Sequence, residues 1–220
     1  MRVTFYFDPV SPYAWLASRQ LDRLNLAPDQ LDMQPVLFAG LLGAHGLVGP
    51  AEVPAKREHT MRDVLRTAAR LGIACQGPPT HPFNPLRALR LCIAVDESAA
   101  RRRLACAVMD AAWADGGDLN DESVLHAAAE RSGLNGARLL ERSQDPVVKQ
   151  ALVAATDAAI AAGVFGVPTF RVGTELVWGS DRLATVNWLL AGGTVDDALM
   201  NDILARPPSA TRPRSRSVPG

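Results

Sequence analysis

Val3, Phe5 and Phe7 alternate with Thr4 and Tyr6, the period-two pattern of a β-strand. The pattern then changes. Ser11 stands at an N-cap position and Pro12 at a first helical position, so a helix is predicted from there to about Leu24, with Ala14, Ala17, Leu21 and Leu24 on one face. Positions 31–38 read as a second strand, and the Gly- and Pro-rich stretch 40–54 as a surface loop.

From 56 to about 162 the spacing is helical almost throughout. Met61, Val64, Leu65, Ala68 and Leu71 make one stripe. Leu86, Leu89, Leu91, Ile93 and Val95 belong to a more fully buried helix after Pro85, and Leu104, Val108 and Ala112 mark another. Asp121 is a candidate cap for a helix through Glu130, and Asn135 for one through Leu140. Asp145-Pro146 opens a long Ala-rich helix that stops at Gly163. Two short strands are predicted at 169–172 and 175–178, then helices at 181–190 and 195–205. Positions 206–220, rich in Pro, Arg and Ser, predict a disordered tail.

The order is β-α-β, a helical block, then β-β-α, which predicts an α/β fold. Strands at the two ends must share one sheet, because two or three strands alone are barely stable. The expected organisation is a discontinuous α/β domain over 1–39 and 163–205, an all-helical insertion over 40–162, and the tail.

Composition narrows this picture. Of 220 residues 48% are apolar, enough for a real core, and the formal net charge is zero, which argues against bulk nucleic-acid or anionic-membrane binding. No apolar run approaches the roughly 20 residues of a membrane span, and no charged-then-apolar leader opens the chain. The three cysteines, Cys75, Cys92 and Cys106, are odd in number and widely spaced, so neither a disulfide framework nor a zinc site is suggested. A cytoplasmic, reduced protein with thiol cofactors within reach is the expectation.

Candidate chemistry lies at the two ends. Taken alone, Ser11-Pro12 reads as an ordinary helix cap; by position, Ser11 at a helix mouth also faces unpaired N–H groups and the positive end of the dipole, features that stabilise an anion such as a thiolate. No Gly-x-Ser-x-Gly elbow surrounds it, which disfavours a hydrolase triad. Val167-Pro168 reads as a strand entry, trans on residue-level grounds since few X-Pro bonds are cis. A cis bond would turn the Val167 N–H and C=O outward, where a peptide-like ligand could pair with them as an added strand. Ser180-Asp181 reads either as a helix cap or as a receptor for the amino-acid end of a ligand. Lys56-Arg57 reads as a solvated helix start or a carboxylate clamp. His45, His59, His81 and His126 show no metal spacing beyond His126…Glu130, and no metal is expected. Cys92 and Cys106 fall in apolar helical patterns and are expected in the core; Cys75 precedes a turn and is given no role. Trp15, Tyr13 and Trp178 either line a pocket for a flat substrate or pack in the core. Together the segments point to a thioredoxin-like site with serine where a redox enzyme would carry cysteine.

At these residues the chain resembles the 2-hydroxychromene-2-carboxylate isomerases and kappa-class glutathione transferases, within the wider DsbA-like group. The segments are FYFDPVSPYAWLA at 5–17, VPAKR at 53–57 with MRDVLR at 61–66, HPFNPLRALRL at 81–91, GVFGVPTF at 163–170 and WGSDRL at 178–183. The resemblance implies a thioredoxin-like fold with a large helical insertion, a cis Val167-Pro168 bond, glutathione as cofactor and a homodimer. It places Ser11 as the catalytic serine hydrogen-bonded to the glutathione thiolate, and Val167, beside Pro168, against the cysteinyl backbone. Ser180 and Asp181 would hold the γ-glutamyl end, and Lys56 would sit near the glycine end. It implies isomerisation of a small aromatic keto acid, in aromatic-compound catabolism, by thiolate addition, ring opening, bond rotation and loss of the thiol. One departure stands out: the loop GAHGLVGPAE at 43–52 lacks the family's Asn, for which His45 is the candidate replacement. The alternatives are a transferase that conjugates electrophiles and a non-catalytic thiol- or peptide-binding module. A disulfide oxidoreductase is disfavoured because Ser11-Pro12-Tyr13-Ala14 has no cysteine at either end.

Overall fold

The two ends of the chain meet in one sheet. In the computed structural model, which describes residues 1–210, β1 (Val3–Phe7) lies between β2 (Leu31–Pro35), parallel to it, and β3 (Thr169–Val172), antiparallel. β4 (Glu175–Trp178) pairs antiparallel with β3, giving the order β2-β1-β3-β4. Phe5 lies opposite Met33 on one side and Phe170 on the other, its ring stacked on Phe170 with centroids 4.6 Å apart. The chain is thus a thioredoxin-like α/β fold, with its strands shared between the two ends as the stability argument requires.

Helix α1 (Pro12–Ser18) follows β1, and α2 (Phe38–Ala44) follows β2. Then come α3 (Pro54–Leu71), α4 (Leu86–Ile93), α5 (Ser98–Trp113), α6 (Glu122–Arg131), α7 (Gly136–Arg142) and α8 (Pro146–Ala161). After β4 come α9 (Leu183–Leu190) and α10 (Asp197–Ala205). The caps at Asp121, Asn135 and Asp145 form as expected, each side chain accepting a first-turn N–H, worth about 1 kcal/mol apiece. One apolar cluster runs from Val3 and Phe5 through Trp15, Leu104 and Met109 to Phe170 and Val186, so the sheet and the helices after it share a core. A smaller cluster of Tyr6, Val36, Leu41, Ala159, Val164 and Val167 fills the other face.

Several boundaries differ from expectation. Helix α1 stops at Ser18, not near Leu24, because side chains take its last carbonyls: the Ser18 hydroxyl donates to Trp15 O at 2.7 Å and the Gln20 amide to Leu16 O at 2.9 Å. A 3-10 turn at Leu21–Arg23 follows. β2 ends at Pro35, and the stretch read as strand and loop contains α2. Its start is supplied from outside: Phe38 N–H donates to Asp8 Oδ2 at 2.9 Å and Leu37 N–H to Thr156 Oγ1 at 3.0 Å. Burial of Leu41 then outweighs the low helix propensity of its glycines. The boundary at 39/40 falls inside this helix. Helix α9 begins at Leu183, and α10 buries none of its side chains. Residues 206–210 are exposed and non-helical; the rest of the expected tail, 211–220, lies outside the described residues. Among the described residues no helix is long and apolar enough to cross a membrane.

Candidate functional site

Ser11 sits at the C-terminal end of the central strand, where β1 turns into α1. It is the N-cap, as its position predicts: its Oγ accepts the Ala14 N–H at 3.3 Å. The same hydroxyl donates across the fold to the Val167 carbonyl at 3.3 Å, 156 positions away. Ser11 is 6% exposed and Val167 5% exposed, so the contact is buried. The Val167-Pro168 bond is cis, as the resemblance implies and against the residue-level expectation of trans.

The loop after β4 reaches the same place. Gly179 N–H donates to the Pro168 carbonyl at 3.0 Å, tying Ser180 and Asp181 beside the Val167-Pro168 step. Gly179 has φ +120°, a region open to glycine, and a Cβ there would come within 2.8 Å of Asp181 Oδ1. Neither Ser180 nor Asp181 caps α9, whose N-cap is Arg182 with no side-chain hydrogen bond. The capping alternative is therefore set aside. The Asp181 carboxylate is exposed and has only a loose ion pair with Arg182 at 3.7 Å.

Lys56 lies exposed on the first turn of α3. Burial, and to a lesser extent the charge of the next residue, Arg57, lowers the His81 pKa, disfavouring protonation there. Tyr13, two residues past Ser11, donates to Asp63 Oδ2 of α3 at 2.9 Å. Burial, and next the Asp63 carboxylate, push the phenol up to about 12, and the Asp181 charge adds to this. Tyr13 is therefore held neutral.

Three residues before Ser11, Asp8 is wholly buried, its two oxygens accepting Val10 N–H and Phe38 N–H at 2.9 Å each. Burial raises its carboxyl to about 7, outweighing the two N–H donors that favour the anion. Asp8, Asp63 and the His81 contact with this turn were not singled out in the sequence. The one signal for Asp8 was an acid inside an otherwise apolar strand end, and for the others nothing local existed.

The remaining candidates separate. Trp15 is core, donating its Nε1–H to Asp110 at 2.8 Å. Trp178 is 55% exposed and meets the edge of Phe165, centroids 5.2 Å apart. His45 Nε2 donates to the Val164 carbonyl at 3.1 Å, so the candidate replacement for Asn is engaged in holding a loop. His126 and Glu130 are 3.8 Å apart and half-exposed, and among the described residues no cluster of three His, Cys, Asp or Glu side chains could hold a metal ion. Burial pushes Cys92 up to about 12 and Cys106 up to about 11, and raises Cys75 as well. None is an activated thiol. Cys106 is half-buried rather than in the core, on an open cleft of about 380 Å³ whose lining includes Leu21 and Arg102 but not Ser11.

Residues 2–191 match the DSBA-like thioredoxin domain family. The 2-hydroxychromene-2-carboxylate isomerase of Pseudomonas putida is 31% identical over 194 residues, covering 83% of this chain and 91% of that protein. Human glutathione S-transferase kappa 1 is 28% identical over 208 residues, covering 86% and 90%. A solved 2-hydroxychromene-2-carboxylate isomerase structure superposes with a TM-score of 0.78 at 27% identity, covering 94% of this chain and all of that one.

Proposed function

The chain belongs to the DSBA-like thioredoxin domain family and, within it, to the group of 2-hydroxychromene-2-carboxylate isomerases and kappa-class glutathione transferases, and from that premise we propose that it is a glutathione-dependent isomerase of a small aromatic keto acid of the 2-hydroxychromene-2-carboxylate type. The observation that carries the reading is the Ser11 hydroxyl, buried between the Ala14 N–H and the Val167 carbonyl where the fold's redox members would place a cysteine.

The residues fit a thiol tripeptide. The Ser11 hydroxyl turns from the Val167 carbonyl to donate to sulfur, while the Ala14 N–H keeps its lone pair engaged. The Val167 backbone, beside Pro168, pairs with the cysteinyl unit. Ser180 and Asp181, whose carboxylate is not spent on capping α9, take the γ-glutamyl end, the carboxylate meeting the ammonium. Lys56 sits toward the glycine end. Glutathione, when bound, supplies a thiolate nucleophile that isomerisation returns unchanged. Ser11 stabilises that anion without being oxidised, and the three high-pKa cysteines offer no competing thiolate. A homodimer in a reduced cytoplasm, serving aromatic-compound catabolism, completes the reading; light scattering checks the dimer.

The test is calorimetric titration of glutathione into wild type and the Ser180→Ala/Asp181→Ala double variant, then chromene carboxylate turnover with catalytic glutathione. Binding lost in the double variant and turnover without thiol consumption support the reading; no binding to wild type removes it. A transferase is the second reading. What favours it is His45, whose ring is engaged with the Val164 carbonyl rather than standing in for the Asn absent from 43–52. Consumption of the thiol with an electrophile would select it.

A further inference from the structure

The direction of the Ser11 hydroxyl depends on the turn before it, and the polar groups of that turn are held from several sides. Ser11 N–H donates to the Asp8 carbonyl at 3.0 Å, and Val10 N–H to the Asp8 carboxylate at 2.9 Å. The Pro9 carbonyl accepts Trp113 Nε1–H at 2.9 Å, and the Val10 carbonyl accepts His81 Nε2–H at 3.0 Å. These last two donors come from the helical segment between β2 and β3: Trp113 ends α5, and His81 stands in the connection from α3 to α4. Their rings meet edge to face, centroids 5.3 Å apart at 68°.

Three features mark His81 as more than packing. The Val10 carbonyl and the Ser11 N–H belong to one planar peptide group. With His81 holding one end and the Asp8 carbonyl the other, the plane is fixed, and with it the Ser11 Cα from which the side chain projects. The carbonyl can only accept, so the His81 proton is on Nε2 and Nδ1 is bare; that nitrogen is buried with no hydrogen-bond partner among the described residues. An unpaired buried nitrogen carries a desolvation cost, so His81 stands there at some expense in stability. Burial also lowers the imidazole pKa, keeping the ring in the neutral form that this geometry uses.

We propose that His81 and Trp113 are positioning residues for Ser11: two ring N–H donors that hold the Pro9 and Val10 carbonyls and thereby aim the serine hydroxyl at a bound thiol. The proposal rests on the thiol reading above for its target, and on hydrogen-bond geometry for the clamp itself.

The test combines amide hydrogen exchange with ligand titration on the full chain, using His81→Leu, His81→Gln and Trp113→Phe. In His81→Leu the Ser11 and Ala14 amides exchange about tenfold faster relative to those of α8. In His81→Gln, whose amide can donate in the same place, protection returns. The thiolate fraction of bound glutathione at neutral pH, read by ultraviolet absorbance, falls about threefold or more in His81→Leu and Trp113→Phe. Affinity for S-methylglutathione, which has no thiol to ionise, stays unchanged. Unaltered Ser11 and Ala14 exchange in the Leu and Phe variants overturns the proposal. So does acceleration spread equally over α8, or an equal loss of affinity for both ligands. A wild type that takes up neither ligand removes the thiol reading, and the exchange comparison then decides whether the two rings hold Ser11.

Discussion

Two strand-to-helix junctions flank the site, and they are built in opposite ways. At the β1–α1 junction Ser11 is buried, caps its helix, and follows a turn bonded to Asp8, His81 and Trp113. At the β4–α9 junction Asp181 is exposed, no side chain caps the helix, and Gly179 N–H to the Pro168 carbonyl is the anchor that ties the loop to the site. The first arrangement holds the Ser11 backbone from several sides while its hydroxyl stays free to turn, the preorganisation that the proposed role of Ser11 calls for. The second leaves a charged side chain free to adapt, as recognition of a ligand's charged end needs. Stability and chemistry should therefore concentrate at the first junction, and affinity at the second.

The sharpest way to break that contrast is through Asp8. Its folded-state pKa of about 7 lies above the ordinary 3.8, so the folded state holds the proton more tightly than the unfolded chain does. Its contribution is complete below about pH 4 and is lost as pH rises through about 7. Wild type should lose a few kcal/mol between those limits from this group, and Asp8→Asn should flatten the profile in urea unfolding at a series of pH values. A wild-type profile with no such slope would mean that Asp8 is not sealed and the first junction is not preorganised.

Ser11→Ala comes next. Turnover should fall about a hundredfold through the lost donor, with about 1 kcal/mol of stability lost through the cap; steady-state kinetics and thermal melts read the two separately. A drop in stability with unchanged turnover would return Ser11 to a purely structural role. Asp181→Ala should weaken glutathione binding about tenfold and leave the melting temperature in place, checked by calorimetry. A comparable loss of stability would erase the distinction between the junctions. The smallest effect is expected for Arg182→Ala. Its pair with Asp181 is long and exposed, so unfolding free energy should move by less than about 0.5 kcal/mol.

Much of the architecture was legible because its signals are local. The caps at Ser11, Asp121, Asn135 and Asp145 each act within one turn, and strands at 169–172 and 175–178 appear where the pattern predicts. Failures occurred where a distant group decided a local outcome. Helix α2 forms through glycines because Asp8 and Thr156 supply its first acceptors. Helix α1 ends early because Ser18 and Gln20 turn back on its carbonyls. In α10 the apolar positions of Leu199, Met200 and Ile203 are plain in the sequence and exposed in the fold. Periodicity shows that a face exists without showing what covers it.

The candidate site divides the same way. Residue type, cap position and family resemblance nominated Ser11, Lys56, Val167, Pro168, Ser180 and Asp181 as candidates, since each belongs to a short segment with its own signature. That Ser11 meets Val167 across 156 positions, that Trp113 reaches Pro9 across 104, and that His81 holds Val10 were decided by the packing of helices onto the sheet. A hydrogen bond is specified by the positions of two groups, and the sequence carries the groups. Where they lie relative to one another is set by the burial of the whole core, which no local pattern encodes.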